Sequence, residues 1–173
     1  MFSLSLLVAI AGTAAAQAPR NSGFIGLGFE AAGLDPQHPT AYGFSIQAGF
    51  VRQYRRASLR LGATYFQREA SEVHQAFGEH VEVSYDFTTT RFRPYVIGGW
   101  GLYWLDGQIF VPRPGGYEFR GMQEWSPAMI GGLGFRFRLK TAELFTEVRL
   151  HGFTAANWWG SSFAPVTFGV KFD

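Results

Sequence analysis

The ten residues 163–172, which read FAPVTFGVKF, decide the fold class that this sequence predicts. Apolar side chains alternate with polar or small ones from Val166 to Phe172, and this period of two is typical of a β-strand with one apolar face. An aromatic strand with a free edge would associate with other strands, so a further strand must cover it. The first strand of the same chain is the obvious candidate. A sheet that closes on itself in this way is a barrel.

Seven earlier runs of the chain show the same alternation. They are Gly23–Ala31, Tyr42–Arg52, Ser58–Gln67, His80–Phe87, Pro94–Leu105, Ala128–Leu139 and Glu143–Phe153. Each is close to the ~9–11 residues that a tilted membrane-spanning strand needs. Both faces of the fifth run are apolar. For this run we place outside Val96, Trp100, Leu102 and Trp104, and we place inside Gly99 and Gly101.

The connections between these eight runs alternate in length. Those after odd-numbered runs are long, at 32–41, 68–79, 106–125 and 154–162, and those after even-numbered runs are short, at 53–57, 88–93 and 140–142. Outer-membrane barrels have short periplasmic turns and longer external loops. The alternation therefore predicts that both termini of the barrel are periplasmic.

Composition favours an exterior that faces lipid. Aromatic residues make up 17% of the chain, glycines number 22, cysteine is absent, and only two of the 15 basic residues are lysines. The net charge of +2 is too small and scattered for a nucleic-acid-binding surface.

Residues 1–18 form an apolar, small-residue run ending in Ala16-Gln17-Ala18, which predicts a cleaved signal peptide, with a short membrane anchor as the alternative. The barrel domain is then 19–173, and the mature chain starts near Gln17 or Pro19.

Four stretches resemble the broad family of "outer membrane beta-barrel domain" proteins. They are RPYVIGGWG at 93–101, GGLGFR at 131–136, LFTEVR at 144–149 and PVTFGVKF at 165–172. The resemblance implies an all-β, eight-stranded antiparallel up-and-down transmembrane β-barrel in the outer membrane of a Gram-negative-type cell. Thr167, Gly169 and Phe172 also resemble the C-terminal assembly signal of such barrels, which implies the barrel-assembly machinery as a partner.

The polar face of the strands indicates which side points inward. It combines glycines with charges of both signs, namely Glu30, Arg60, Glu82, Asp86, Arg136, Arg138, Glu147, Arg149 and Lys171. The interior of an eight-stranded barrel is just wide enough to be filled by side chains, so this face suits a crowded polar lumen. A soluble lipocalin-like barrel, with its apolar face inward, is the alternative.

The charged side chains are predicted to form an ion-pair network in the lumen. Its members are Glu147, Arg136, Arg149, Arg138, Arg60 and Glu82. A four-residue turn from Lys140 to Glu143 would set Arg136 opposite Glu147, whereas a two-residue turn would set Gly134 there. The match of charge favours the wider turn and a Glu147–Arg136 pair, shared with Arg149 or Arg60.

The sequence predicts neither a catalytic nor a cofactor nor a metal site. Its four histidines lack metal-ligand spacing, and the stretch His151-Gly-Phe-Thr154 lacks the serine that lipid A deacylases place two residues after their histidine. Four tryptophans suit an aromatic girdle at the membrane interface, with a carbohydrate platform as the alternative: Trp100, Trp104, Trp158 and Trp159. We therefore expect a monomeric barrel in outer-membrane lipid with a structural or surface-interaction role through its external loops. The alternatives are a narrow channel, a lipid-modifying enzyme and a soluble lipid carrier.

Overall fold

The computed structural model describes residues 19–32, 41–68, 73–153 and 162–173, which excludes the predicted signal peptide and both Trp158 and Trp159. Its strands are β1 (Arg20–Ala32), β2 (Ala41–Tyr54), β3 (Ala57–Arg68), β4 (Val73–Asp86), β5 (Phe92–Arg113), β6 (Gly116–Arg138), β7 (Ala142–Phe153), β8 (Ser162–Phe163) and β9 (Val166–Phe172). Within these ranges the structure contains no helix long and apolar enough to cross a membrane.

The strands form one closed antiparallel sheet. Each strand from β1 to β7 pairs with the next in the chain, and β9 lies between β7 and β1. Leu27 faces Phe168 across the seam between β1 and β9. The two-residue β8 and the longer β9 both pair with β7, one after the other along its length. Together they count as one strand of the wall, so the barrel is eight-stranded. The predicted fold class, and the closure of the last strand on the first, are confirmed.

The apolar face of the strands points outward, as predicted. Leu133, Phe135 and Phe137 on β6 are between 38% and 58% exposed. On β5 the side chains of Val96, Trp100 and Leu102 are exposed, whereas Tyr95, Ile97, Tyr103 and Leu105 are buried inside. The outward assignment made for the fifth run is thus confirmed.

The predicted strand ends were wrong in two places. Residues 106–125 are not a loop, because β5 and β6 continue as a paired hairpin up to Arg113 and Gly116. The connection predicted at 68–79 shrinks to 69–72, because β4 begins at Val73. We call the end of the barrel with the short connections 55–56, 87–91 and 139–141 the turn end. We call the opposite end, where the β5–β6 hairpin projects, the loop end.

The last predicted strand is interrupted at Ala164 and Pro165, between β8 and β9. Proline has no amide hydrogen to donate to a ladder. The free backbone amide of Ala164 instead donates to the Glu30 carboxylate at 2.8 Å. Further along β9, Gly169 lies so close to the Phe145 ring that any Cβ there would overlap it.

The hairpin between β6 and β7 has the narrower of the two turns considered. Arg138 pairs with Glu143, Arg136 faces Phe145, and Gly134 faces Glu147. The predicted four-residue turn and its register were therefore wrong. The predicted register matches charges within this hairpin, whereas Glu147 pairs with Arg60 on β3, and Arg136 pairs with Asp86 on β4.

Candidate functional site

Apolar and charged side chains form layers inside the barrel. One apolar cluster lies near the loop end and contains Phe66, Ala76, Tyr103, Leu105, Ala128, Phe153 and Phe163. A smaller one, on the turn-end side of the barrel centre, contains Phe24, Val51 and Phe145. The lumen, predicted to be filled by polar and charged side chains, therefore also contains apolar layers that were not predicted. Aromatic rings cross the interior at two levels, and Phe66 and Phe163 stack with ring centroids 4.8 Å apart.

A central charged cluster lies between these two apolar layers, around Glu147 of β7. The Glu147 carboxylate accepts hydrogen bonds from Gln47 Nε2 at 2.9 Å, Arg60 Nη1 at 3.1 Å and Tyr95 Oη at 2.6 Å, and also from Arg149. Glu147 is 1% exposed. Hydrogen bonds donated to a carboxylate favour its ionised form, so these four donors stabilise Glu147 as an anion.

Glu82 on β4 completes the central charged cluster. Arg149 Nη1 donates to Glu82 Oε1 at 2.9 Å, and Arg60 Nη1 lies 3.5 Å from Glu82 Oε2. Two arginines thus balance two carboxylates in a space closed to solvent. A buried ion pair is tolerated when its charges are balanced and hydrogen-bonded. The charges here are balanced and each group makes at least one hydrogen bond, although Glu82 Oε2 and Arg149 Nε make none.

Two histidines lie just above this cluster, toward the loop end. His151 Nδ1 is 3.1 Å from the Tyr103 hydroxyl, and His80 Nδ1 is 3.4 Å from the Thr64 hydroxyl. His80 Nε2 is 3.7 Å from Glu82. Among the described residues there is no group of three or more His, Asp or Glu side chains arranged to hold a metal ion.

A second charged cluster lies nearer the turn end. Arg136 Nη1 bonds Asp86 at 2.5 Å, Arg93 Nη1 bonds Asp86 at 3.1 Å, and Arg93 also pairs with Glu143. Arg136 Nη2 further donates to the Ser84 hydroxyl at 2.8 Å. Here too, two arginines balance two carboxylates, and Lys171 lies 3.7 Å from Glu143 at the edge.

The structure brings together four of the six residues predicted for the lumen network. These are Glu147, Arg149, Arg60 and Glu82. Arg136 belongs to the second cluster, so the predicted Glu147–Arg136 pair was wrong, whereas the contacts of Glu147 with Arg149 and Arg60 are present. Arg138 is exposed at the turn-end rim and takes part in no described ion pair.

Sequence reasoning placed Asp86 on the inner face but missed its role, and it missed Arg93, Glu143, Gln47 and Tyr95 as members of these clusters. Arg60 reaches Glu147 from β3 to β7, across the lumen. Pairing of this kind follows from barrel curvature and side-chain length, and the register of neighbouring strands does not reveal it. For Asp86 and Arg93 a signal existed, since both have inward parity near the turn between β4 and β5.

The other predicted site residues occupy the barrel wall. Thr167 is buried in the lumen, Gly169 faces the lumen, and Phe172 is 49% exposed on the outer face. Trp104 packs edge-on against Trp125 with ring centroids 5.6 Å apart, and Trp100 is 63% exposed. Trp158 and Trp159 lie outside the described residues.

Comparison with known proteins places this geometry in a structural class. No family model matches the sequence, and no curated protein sequence matches it significantly. Among solved structures, Neisserial surface protein A is 15% identical over 88% of this chain and 94% of its own, with a TM-score of 0.61. The N-terminal β-barrel domain of Pseudomonas aeruginosa OprF is 15% identical over 90% of this chain and 98% of its own, with a TM-score of 0.54. The attachment invasion locus protein Ail of Yersinia pestis is 11% identical over 88% of this chain and 96% of its own, with a TM-score of 0.51. The chain therefore has the fold of the small eight-stranded outer-membrane β-barrels.

Proposed function

We propose that this chain is an integral outer-membrane protein whose loop end contacts partners outside the cell. One observation carries the membrane location: a belt of large apolar side chains covers the outside of the barrel. It includes Ile25, Leu27, Ile46, Phe50, Leu61, Val83, Trp100, Met129, Leu133, Val148, Leu150 and Phe168, each between 43% and 74% exposed. Soluble proteins rarely expose contiguous apolar surface on this scale, whereas lipid tails cover it at no cost.

The same belt argues against a soluble lipid carrier. A carrier of that kind needs an apolar cavity inside and a polar surface outside. Here the charged side chains of Glu147, Arg149 and Glu82 are buried in the interior, and the apolar ones face out.

The interior also argues against a channel and against catalysis by the lumen carboxylates. The apolar cluster around Phe66 and Phe163 lies across the barrel near the loop end, and the central charged cluster fills the level below it. Glu147 is already bonded to four donors and is closed to solvent, so it has no position from which to act on a substrate. We infer that the interior stabilises the wall.

The β5–β6 hairpin favours an interaction role at the loop end. From Trp104 to Arg113 it extends for about 30 Å along the strand beyond the aromatic girdle, at the rise per residue usual for a strand. The exposed pair of Arg113 and Glu118 lies near its tip, 2.5 Å apart. A hairpin of this length is more than two strands need in order to close the barrel, and its paired backbone presents a firm surface to a partner.

In the proposed orientation the turn end and both ends of the barrel sequence are periplasmic. Residues 1–18 would direct export and be removed, and Thr167, Gly169 and Phe172 would be read by the barrel-assembly machinery. The mature barrel would act as a monomer.

Cell fractionation combined with gel mobility tests the location. We expect the protein in the outer-membrane fraction, with a compact band without heating that shifts on boiling. Protease added to intact cells should cut at the β5–β6 hairpin and leave the barrel whole. Recovery in the soluble periplasmic fraction, or cleavage only after the outer membrane is opened, would contradict the location or the orientation respectively.

Removal of the hairpin tip tests the interaction role. In a variant with residues 108–121 replaced by a two-residue Asn-Gly turn, we expect normal membrane levels and loss of binding to host or bacterial surfaces that wild-type cells bind. A matched variant carries Gly98→Ala in the wall and should bind as the wild type does. Equal binding by all three proteins would refute a role for the hairpin.

A further inference from the structure

The net charge of the chain is close to zero, but basic and acidic residues are distributed unequally between the two ends of the barrel. Every described connection of the turn end carries an exposed basic residue, and so do the turn-end parts of β1, β2 and β6. These residues, which we call the basic ring, are Arg20, Arg52, Arg55, Arg56, Arg91, Arg138 and Lys140. The exposed acidic residue in the described part of this end is Asp173.

The loop end has the opposite balance. In the described part of this end the basic residues are Arg68, Arg113 and Arg120, and the acidic residues are Glu30, Asp106, Glu118 and Glu124. Between the two ends lie the two charged clusters of the lumen, with Lys171 at the edge of the second one, and the exposed Glu79 on the outer face of β4. The excess of positive charge on the basic ring therefore has no counterpart nearby within the protein.

The basic ring makes no ion pair among the described residues. Arg138 and Lys140 illustrate this, since the carboxylate of Glu143 next to them is instead occupied by Arg93 and Lys171. An exposed ring of one sign repels itself, and it is stabilised when a surface of opposite charge lies against it.

Two members of the basic ring lie at the edge of the apolar belt. The guanidinium of Arg52 is 5.4 Å from the centre of the Tyr54 ring, and that of Arg91 is 4.8 Å from the centre of the Phe137 ring. Arg91 Nε also donates to the backbone oxygen of Arg138 at 3.0 Å, which fixes the guanidinium in place. Tyr54 and Phe137 are exposed aromatic residues at the turn-end border of the belt. In a bilayer this border lies at the level of the lipid headgroups.

We propose that the basic ring binds the phosphate groups of anionic phospholipids in the leaflet around the turn end. Arginine forms paired hydrogen bonds with phosphate oxygens, and basic residues beside a membrane surface attract anionic lipids. The ring surrounds the barrel, so it would select a shell of anionic lipids rather than one lipid molecule. This inference rests on the barrel being embedded in a bilayer, as proposed above.

A small soluble anion in the mouth of the barrel is the competing occupant. A cavity of about 180 Å³ opens at the turn end beside Arg20, Arg138 and Lys140. Lys171 and two carboxylates, those of Glu143 and Asp173, also line this cavity, and the carboxylates weaken its attraction for an anion. The arginines on the outer rim have no such neighbours, which favours lipid phosphate.

Lipid selectivity measured by spin-label resonance tests the proposal. The full-length mature chain is reconstituted in equimolar phosphatidylcholine and phosphatidylglycerol, and the association of spin-labelled forms of the two lipids is compared. We expect the wild type to prefer phosphatidylglycerol, and we expect the preference to fall as salt is raised. In the variant Arg55→Asn/Arg56→Gln/Lys140→Gln, the association of phosphatidylglycerol should fall toward the value for phosphatidylcholine, the zwitterionic lipid. Asparagine is chosen at 55 because Arg55 has a φ of 53°, which asparagine tolerates.

The matched control is Arg113→Gln/Arg120→Gln, which removes basic residues from the loop end and should keep the wild-type preference. If the triple variant does not fold, Arg56→Gln is compared with Arg120→Gln, and the preference should fall in the first alone. No preference in the wild type, or equal losses in the ring and control variants, would overturn the proposal. Displacement of phosphatidylglycerol by inorganic phosphate, but not by chloride of equal ionic strength, would overturn it in favour of a soluble anion. The gel shift on heating is also measured on protein in pure phosphatidylcholine vesicles, where it shows only whether the barrel inserts into a bilayer. A failure to insert can therefore be told apart from a failure to select anionic lipid.

Discussion

Replacing Glu147 by glutamine would test how much the central charged cluster stabilises the barrel. The substitution keeps the shape of the side chain and removes its charge, which leaves Arg60 and Arg149 to share Glu82. Glu147 is 1% exposed and Arg60 is 3% exposed, so water cannot replace the lost partner. Removing one member of a buried ion pair typically costs ~3–5 kcal/mol, and we expect a loss of unfolding free energy in that range.

A double-mutant cycle assigns this loss to a particular contact. Glu147→Gln is combined with Arg60→Gln, because the Arg60 guanidinium of the wild type is 3.1 Å from the Glu147 carboxylate. We expect a coupling energy of about 1–3 kcal/mol, as for residues in direct contact. Arg93→Gln is the matched control, because Arg93 pairs with Asp86 and Glu143 in the second charged cluster. Its effect should add to that of Glu147→Gln within about 0.5 kcal/mol.

Urea unfolding of the barrel in lipid vesicles provides the measurement, followed by tryptophan fluorescence and by the heat-dependent gel shift. Additive effects of Glu147→Gln and Arg60→Gln would refute the reasoning. So would a coupling no larger than that with Arg93. In either case the carboxylate would not depend on Arg60, and a catalytic role for Glu147 would again have to be considered.

Three further predictions concern the chain ends and the closing seam. Gly169→Ala should destabilise the barrel by about 1–3 kcal/mol in the same urea assay, because the added methyl group has no space. Gly98→Ala, with open space around it, should change stability little, and equal losses would disprove the packing argument. Phe172→Ala should slow assembly, followed by the rate at which the heat-modifiable form appears, more than it alters the finished fold; normal membrane levels would contradict this. N-terminal sequencing of the membrane-extracted protein should begin near Gln17 or Pro19, and recovery of Met1 would show that the leader is retained.

The sequence predicted the fold because alternation in strands depends only on which face meets lipid. The outward residues of β6, such as Leu133 and Phe135, could be assigned without knowing any neighbour. Strand ends were less predictable. Residues 106–113 and 116–125 continue a pairing whose sequence mixes Gly107, Gln108 and Pro112 with apolar residues, so it lacks the regular pattern of the wall.

The interior could be predicted in composition but not in contacts. That Glu147 and Arg149 face the lumen followed from their parity. Arg60 on β3 was predicted only to share Glu147 with Arg136, because the choice between these partners depends on the width and tilt of a closed barrel. The apolar layers were missed for a related reason: Phe66 and Phe145 occupy inward positions beside polar neighbours, and a pattern judged strand by strand treats them as exceptions.

The balanced charges of the two lumen clusters restrict which substitutions the inward positions can accept during evolution. A lone replacement of Arg93 would leave Asp86 and Glu143 in excess inside a closed space, so inward positions should exchange in compensating sets drawn from several strands. In the proposed bilayer, the apolar outward positions would contact lipid and could exchange freely among apolar residues. Relatives of this barrel would then keep its wall while sharing few identical residues, and a search for joint replacements across the lumen would find them better than a search for identity.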